Sequence, residues 1–99
     1  MSRSLIERRL TEVTDRLRRA RQELAVLDEQ LASLSDAADD ARIRALVSET
    51  PLADKEHHEA QRHADAMARS RAAVLSAIAE LQRAQDELLD RLVLPEAGR

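Results

Sequence analysis

Histidines and carboxylates cluster in one stretch of the second half of the chain, where they could bind a metal ion. The histidines are His57, His58 and His63, and the carboxylates are Asp54, Glu56 and Glu59. A helical metal site needs ligands four residues apart on one face. Asp54 and His58 meet that spacing. Glu59 and His63 do too, but no two histidines do. We therefore interpret the cluster as pairs on a helix surface, and expect no metal ion and no other cofactor.

Arginines form a second group with chemical potential, because they are concentrated near the N-terminus. They are Arg3, Arg8, Arg9, Arg16, Arg18, Arg19 and Arg21, interspersed with Glu7, Glu12 and Asp15. Such clusters can neutralise nucleic-acid phosphates. If the two halves of the chain fold against each other, four acids come alongside: Glu80, Asp86, Glu87 and Asp90. The chain also has no aromatic residue to stack on bases. We expect a salt-bridged helix surface and no direct nucleic-acid binding.

The composition lacks several residue types that enzyme active sites commonly use. The 99 residues allow one domain, and they include one Gly, no Cys and no Tyr. Glycine-rich phosphate loops, thiol chemistry and disulfides are therefore excluded. No apolar run approaches the ~18 residues that span a membrane, and the N-terminus lacks the apolar region of a signal peptide. We expect a non-enzymatic protein in the cytoplasm, without a membrane partner.

A heptad pattern in the first half predicts the element that positions the arginines. Apolar residues alternate at spacings of four and three: Ile6, Leu10, Val13, Leu17, Ala20, Leu24, Leu27, Leu31, Leu34, Ala38, Ala41 and Ala45. This spacing is typical of a stripe along a helix that packs against another helix. We predict a helix over residues 2–47, with Ser4 and Glu7 as a capping box. The helix could break near Ser35, since Ser and Asp favour caps.

Ser48-Glu49-Thr50-Pro51 divides the chain into two nearly equal halves. Pro51 lacks a backbone N–H, so it fits the first position of a helix and would break the interior of one. Thr50 before it is a good N-cap. We predict a turn over residues 48–51. The alternative is one continuous helix kinked at the proline.

The second half repeats the heptad pattern with smaller and more polar residues. Its stripe is Ala53, His57, Ala60, Ala64, Met67, Arg71, Val74, Ile78, Leu81, Gln85, Leu88 and Leu92. Arg71 and Gln85 are polar residues in an apolar stripe, and such residues can fix register at some cost in stability. We call the two stripes together the seam.

Folding at the turn pairs every seam position of one half with a seam position of the other, at residue numbers that sum to about 98. Ala20 then meets Ile78 across the seam. We therefore predict an all-α fold: an antiparallel two-helix coiled-coil hairpin over residues 1–94, with its second helix over 51–93. Residues 95–99 are expected to be a flexible tail, because they contain a proline and the only glycine.

A second stripe runs beside the seam on the second helix. This outer stripe consists of Ala68, Ala72, Leu75, Ala79, Gln82, Asp86, Leu89 and Val93. It could be a widened core face, as bundle helices often have. A lone hairpin has no third helix to cover it, however, and small scaffolds usually need additional burial. We therefore predict a homo-oligomer that associates through Ala68, Ala72, Leu75, Ala79, Leu89 and Val93.

The residues around the turn form another candidate surface. Acids (Asp36, Asp39, Asp40, Glu49, Asp54, Glu56 and Glu59) outnumber the bases Arg42, Arg44 and Lys55. Ile43 faces away from the seam, with further apolar residues near it. One exposed Ile is normal in a folded protein, but an apolar spot with an acidic rim would suit a basic groove on a protein partner. The predicted partner-binding residues are Ile43, Leu46, Val47, Glu49, Leu52 and Asp54.

An acidic tip on an antiparallel hairpin resembles the N-terminal coiled-coil hairpin of Gre-type transcript-cleavage factors, over residues 2–93 and in architecture only. That hairpin places acidic residues in the secondary channel of RNA polymerase. The resemblance implies RNA polymerase as a partner, with Glu49 and Asp54 as the matching acids. Our first prediction is a coiled-coil interaction or scaffold module. The alternative is a small transcription regulator that contacts RNA polymerase through the tip.

Overall fold

The computed structural model describes residues 2–93 and contains two helices. Helix α1 spans Arg3–Ser48 and helix α2 spans Pro51–Val93. The two helices pack against each other, which confirms the predicted all-α hairpin, and the described residues contain no strand. The predicted tail at 95–99 lies outside the described residues.

Helix α1 is unbroken, so the break considered near Ser35 does not occur. No glycine or proline lies within α1 to interrupt its backbone hydrogen bonds. The predicted capping box at Ser4 is wrong. Ser2 caps the helix instead, because its Oγ accepts a bond from the Leu5 N–H at 3.2 Å and its carbonyl accepts one from the Ile6 N–H at 3.0 Å. The Glu7 carboxylate pairs with Arg3 rather than with a cap residue.

Helix α2 begins as the residue chemistry predicted. The Thr50 hydroxyl accepts a hydrogen bond from the Ala53 N–H at 3.1 Å, and the Thr50 carbonyl accepts one from the Asp54 N–H at 3.1 Å. Both bonds are those of an N-cap residue. Pro51 is the first helical residue, where its missing N–H leaves no partner unpaired. The continuous kinked helix is therefore excluded.

The chain divides into two compact units, each containing a segment of both helices. The terminal unit comprises Met1–Glu23 with Val74–Arg99, and the turn unit comprises Leu24–Ala73. Every predicted seam residue in either unit is buried or half-buried. The most buried seam residues of the terminal unit are Ile6, Leu17, Ile78 and Leu88, whereas those of the turn unit are Ala38, Ala41, Ala45 and Ala64. The small residues near the turn allow close backbone approach, since interaxial distance depends on the side chains in contact.

Arg71 and Gln85 are polar seam residues, and each bonds a side chain of the other helix. In the turn unit, the Arg71 guanidinium bonds the Asp28 carboxylate at 2.5 Å. In the terminal unit, the Gln85 amide donates to the Thr14 hydroxyl at 3.2 Å. Each acceptor directly follows the predicted seam partner, which is Leu27 for the arginine and Val13 for the glutamine, so both bonds agree with the predicted register. The ion pair is partly exposed and is worth at most about 1 kcal/mol.

We predict that Ala20→Cys with Ile78→Cys forms a disulfide within one chain of the terminal unit. The two positions face each other in the predicted register, and the native chain has no cysteine to compete. Non-reducing electrophoresis and mass spectrometry after mild oxidation measure the product. The control is Ala20→Cys with Gln85→Cys. Position 85 lies seven residues, or about 10 Å, further along α2 than position 78, so this pair should not form a disulfide. Crosslinks found only between chains would contradict the register.

Candidate functional site

Exposed large apolar side chains fall mainly on the two surfaces that the sequence singled out. Among the described residues there are eight of them, and four lie next to the turn. Their exposed fractions are 52% for Ile43, 67% for Leu46, 80% for Val47 and 65% for Leu52. We call these four residues the tip patch. Three more belong to the outer stripe, and the eighth is Val26.

The α1 part of the tip patch lies on a single helix face. Leu46 and Val47 follow Ile43 by three and four residues, a spacing that places side chains together on one face. That face points away from the seam, whose residues Ala41 and Ala45 are buried in the same turns. Because α1 is continuous here, these side chains are not core residues of a broken helix. Their exposure follows from the helix phase.

Carboxylates border the tip patch. Asp36, Asp39 and Asp40 precede Ile43 by seven, four and three residues, so they lie on the same outward face of α1, and all three are exposed. Residues 36–59 hold seven carboxylates and three basic residues, a net charge of −4, while the whole chain carries −3. The negative charge of the protein is therefore concentrated around the tip patch.

Glu49 connects the two helices in an unusual backbone conformation. Its φ of 53° is in the left-handed region, and it is the only non-glycine residue with positive φ among those described. Its N–H bonds the Ala45 carbonyl at 3.0 Å, which is the bond of a left-handed helix C-cap. Glycine or asparagine usually occupies this position, because a Cβ there costs about 1–2 kcal/mol. The chain thus holds an exposed carboxylate at the turn in spite of a backbone cost. Asp54, the other predicted tip acid, is exposed in the first turn of α2.

The outer stripe is exposed in both units except at one residue. Ala68 and Ala72 are exposed in the turn unit. In the terminal unit, Leu75 and Leu89 are each 39% exposed and Val93 is 74% exposed. Ala79 is half-buried, so the alternative interpretation of the outer stripe as a widened core face holds for Ala79 alone. The remaining apolar members leave a face that the hairpin itself does not cover.

The histidine cluster is mostly exposed. His58, His63 and the three nearby carboxylates lie at the surface, whereas His57 is half-buried at its seam position. The His57 and His58 rings stack with centroids 5.5 Å apart and planes inclined by 20°. Sequence spacing did not predict this stacking. No group of three or more potential metal ligands converges within residues 2–93.

Two arginines near the start of α1 form ion pairs with acids of their own helix. The ion pairs that the described residues form in this region lie within α1, between Arg3 and Glu7 at 3.6 Å and between Arg18 and Asp15 at 3.3 Å. Residues three or four apart on one helix are held at a fixed spacing, so such pairs can form without help from the second helix.

A surface groove lies beside the seam in each unit. The terminal-unit groove, of about 340 Å³, is lined by Arg9, Glu12, Val13, Ala84, Glu87, Leu88 and Arg91. The turn-unit groove, of about 300 Å³, is lined by Leu34, Arg62, His63, Ala66, Met67 and Ser70. Sequence reasoning missed both, although small residues flanking the seam, such as Ala84 and Ala66, were the available signal.

Neither helix is long and apolar enough, within the described residues, to cross a membrane.

We predict that Glu49→Gly raises the free energy of unfolding by about 0.5–1 kcal/mol, because glycine adopts a positive φ without a Cβ clash and this outweighs its larger unfolded-state entropy. Urea denaturation measures the change. Glu49→Ala is the matched control: it removes the same carboxylate but keeps the Cβ, so it should give no comparable gain. Equal stability for the two variants would show that the left-handed backbone carries no cost here.

Comparison with known proteins leaves the tip patch and the outer stripe to be interpreted from their own residues. No protein-family model matches the chain, and neither a curated protein nor a solved structure matches it.

Proposed function

We propose that this hairpin is a non-enzymatic interaction module of the cytoplasm that binds a basic protein partner through its tip patch. The observation that carries the proposal is the set of four exposed aliphatic side chains at the turn, bordered by carboxylates. Exposed apolar residues gain nothing in water, whereas their burial against a partner contributes about 25 cal/mol per Å². A group of them at one place marks a contact surface better than the same residues scattered singly.

The charge around the tip patch defines the chemistry of the partner. Carboxylates at the rim of an interface raise the association rate of a positively charged partner and repel acidic ones. The apolar centre supplies most of the affinity, because fully desolvated central contacts dominate binding energies. The complementary surface is therefore an apolar groove with Arg or Lys at its edges. Such a contact requires binding chemistry only, and it leaves the seam intact.

RNA polymerase is a specific second candidate for this partner. The exposed Glu49 at the turn and the exposed Asp54 in the first turn of α2 favour it, because they are the acids that the resemblance to Gre-type hairpins singles out. In this case the protein is a small transcription regulator. The two candidates differ in which residues matter most: the aliphatic side chains for a groove-binding module, and the two acids for a polymerase regulator.

We predict that Ile43→Ser with Leu46→Ser weakens binding to the main partner by about 10-fold or more, because two apolar contacts are lost. The partner is first identified by photo-crosslinking from position 47 in extract of the native host, and is then purified for titration. The free energy of unfolding of the double variant should differ from that of the wild type by no more than about 0.5 kcal/mol, because both side chains are exposed. Val26→Ser is the matched control, since Val26 is 54% exposed outside the tip. Unfolding of the double variant, or equal loss with the control, would contradict the proposal.

Charge reversal separates the two candidates. We predict that Glu49→Lys with Asp54→Lys lowers the association rate at low salt and has a smaller effect at high salt, because exposed charges are screened. Titration against purified RNA polymerase core enzyme tests the alternative directly. Binding that is abolished by the two Lys substitutions at both salt concentrations, but not by the serine variant, would favour the polymerase regulator over the groove-binding module.

A further inference from the structure

The outer stripe in the terminal unit has a polar centre between two apolar ends. Leu75 and Ala79 precede the polar residues Gln82 and Asp86, and Leu89 and Val93 follow them. Leu75, Leu89 and Val93 are exposed, and the six positions extend over about 27 Å of helix. This apolar–polar–apolar order reads the same in both directions along α2. A face with that symmetry matches an inverted copy of itself.

We propose that a second copy of this chain packs on the terminal-unit part of the outer stripe, with the two α2 helices antiparallel about a two-fold axis between Gln82 and Asp86. In this register Leu75 contacts Val93 of the second copy, and Ala79 contacts Leu89 of the second copy. Each contact occurs twice by symmetry, as in any isologous interface. All four apolar positions then meet apolar partners. Shifting one α2 by a heptad instead sets an apolar residue against Asp86 of the second copy, which is Leu75 for one direction of the shift and Leu89 for the other.

The polar centre decides between the antiparallel and the parallel arrangement. In a parallel dimer, Asp86 would lie against Asp86 of the second copy, and like charges directly opposed are destabilising. In the antiparallel dimer, the Gln82 amide can donate to the Asp86 carboxylate of the second copy, and the reverse bond forms by symmetry. A polar contact inside an apolar face fixes register and orientation. Asp86 thus selects one orientation.

The chain contains an internal comparison for this pair. Gln61 and Asp65 occupy the same positions of the heptad pattern three heptads earlier, and the Gln61 amide donates to the Asp65 carboxylate at 2.9 Å within α2. The corresponding side chains of Gln82 and Asp86 have no hydrogen-bond partner among residues 2–93. The earlier pair follows the charged and polar residues Asp54 and His58, whereas the later pair lies between apolar residues. Only the later pair has the surroundings of an interface centre.

This interface shares no residue with the tip patch, because its residues all belong to the terminal unit and the tip patch belongs to the turn unit. A closed two-fold dimer satisfies the outer stripe of both copies, so it does not extend into a filament. It presents two tip patches per particle. A partner with two binding sites could then be bound with increased avidity.

Mixed crosslinking tests the orientation. Ala79→Cys and Leu89→Cys are prepared as separate proteins, mixed, and oxidised mildly; the native chain has no cysteine. We expect a disulfide dimer with both variants represented, because position 79 faces position 89 of the second copy. Each variant alone should remain mostly uncrosslinked. Crosslinking of each variant with itself would show a parallel dimer and overturn the proposal. Light scattering of the wild type at about 50 µM is a second test, and a mass equal to that of the monomer, 11.1 kDa, would also overturn the proposal.

Charge exchange tests the polar centre. Gln82→Glu places two like-charge pairs in the dimer and should weaken it by about 10-fold or more, and adding Asp86→Lys should restore it. Gln61→Glu, the equivalent change outside the interface, should leave the dimer unchanged. Sedimentation equilibrium measures the dissociation constant, and circular dichroism checks that each variant keeps its helices. Equal weakening by the two Glu substitutions, or no rescue by the Lys, would overturn the proposal. Because the tip patch is unaltered, partner binding by a monomeric variant distinguishes this failure from a failure of the proposed function.

Discussion

The register of α1 against α2 is the constraint on which the other features of this protein depend. The turn at Glu49 and Thr50 fixes which seam residues meet, and the seam fixes the rotation of each helix. Because side chains recur every three or four residues on a helix face, one rotation determines every exposed and buried position at once. The tip patch and the outer stripe are therefore consequences of the seam. A change of phase in α1 would bury Ile43 and expose Ala41.

The seam is stabilised in a different way in each unit. Branched aliphatic residues provide the burial in the terminal unit, and alanines provide it in the turn unit. Alanines bury less apolar area per residue, but they have the highest helix propensity and let two backbones approach closely. Arg71 and Gln85 interrupt the apolar stripe of α2, and each reaches a polar side chain of α1 next to its seam partner. These bonds contribute little stability and help to exclude other registers, since a shifted helix would leave both groups without their acceptors.

The exposed surfaces carry costs that the hairpin itself does not offset. Glu49 keeps a left-handed backbone without being glycine, and seven large aliphatic side chains on the tip patch and the outer stripe remain in contact with water. Local features that oppose folding tend to occur at functional positions, because selection for binding maintains them. The hypotheses of a protein partner at the tip and of a second copy at the outer stripe each assign a role to one of these features.

Sequence alone determined the helices, the turn and the phase of the seam. Their signals are local: heptad spacing in both halves, and a cap residue followed by the only proline before residue 95. The same periodicity predicted which tip residues point outward, since Ile43 lies opposite the buried Ala41 and Ala45. The agreement between two separately phased stripes made the antiparallel pairing predictable as well, because each stripe constrains the other.

Only the tertiary structure decided how individual polar side chains are paired. Ser2 rather than Ser4 caps α1, and Arg3 and Arg18 form ion pairs with acids of α1, because such choices depend on sub-ångström distances that residue spacing does not specify. The continuity of α1 past Ser35 also depended on the structure, since serine is compatible with both a cap and a helix interior, and packing of the flanking Leu34 and Ala38 favours the helix. The left-handed conformation of Glu49 followed from closing the turn between two paired helices. Glycine and asparagine adopt positive φ readily, and glutamate does not. The residue type at position 49 therefore gave no local signal of the left-handed conformation.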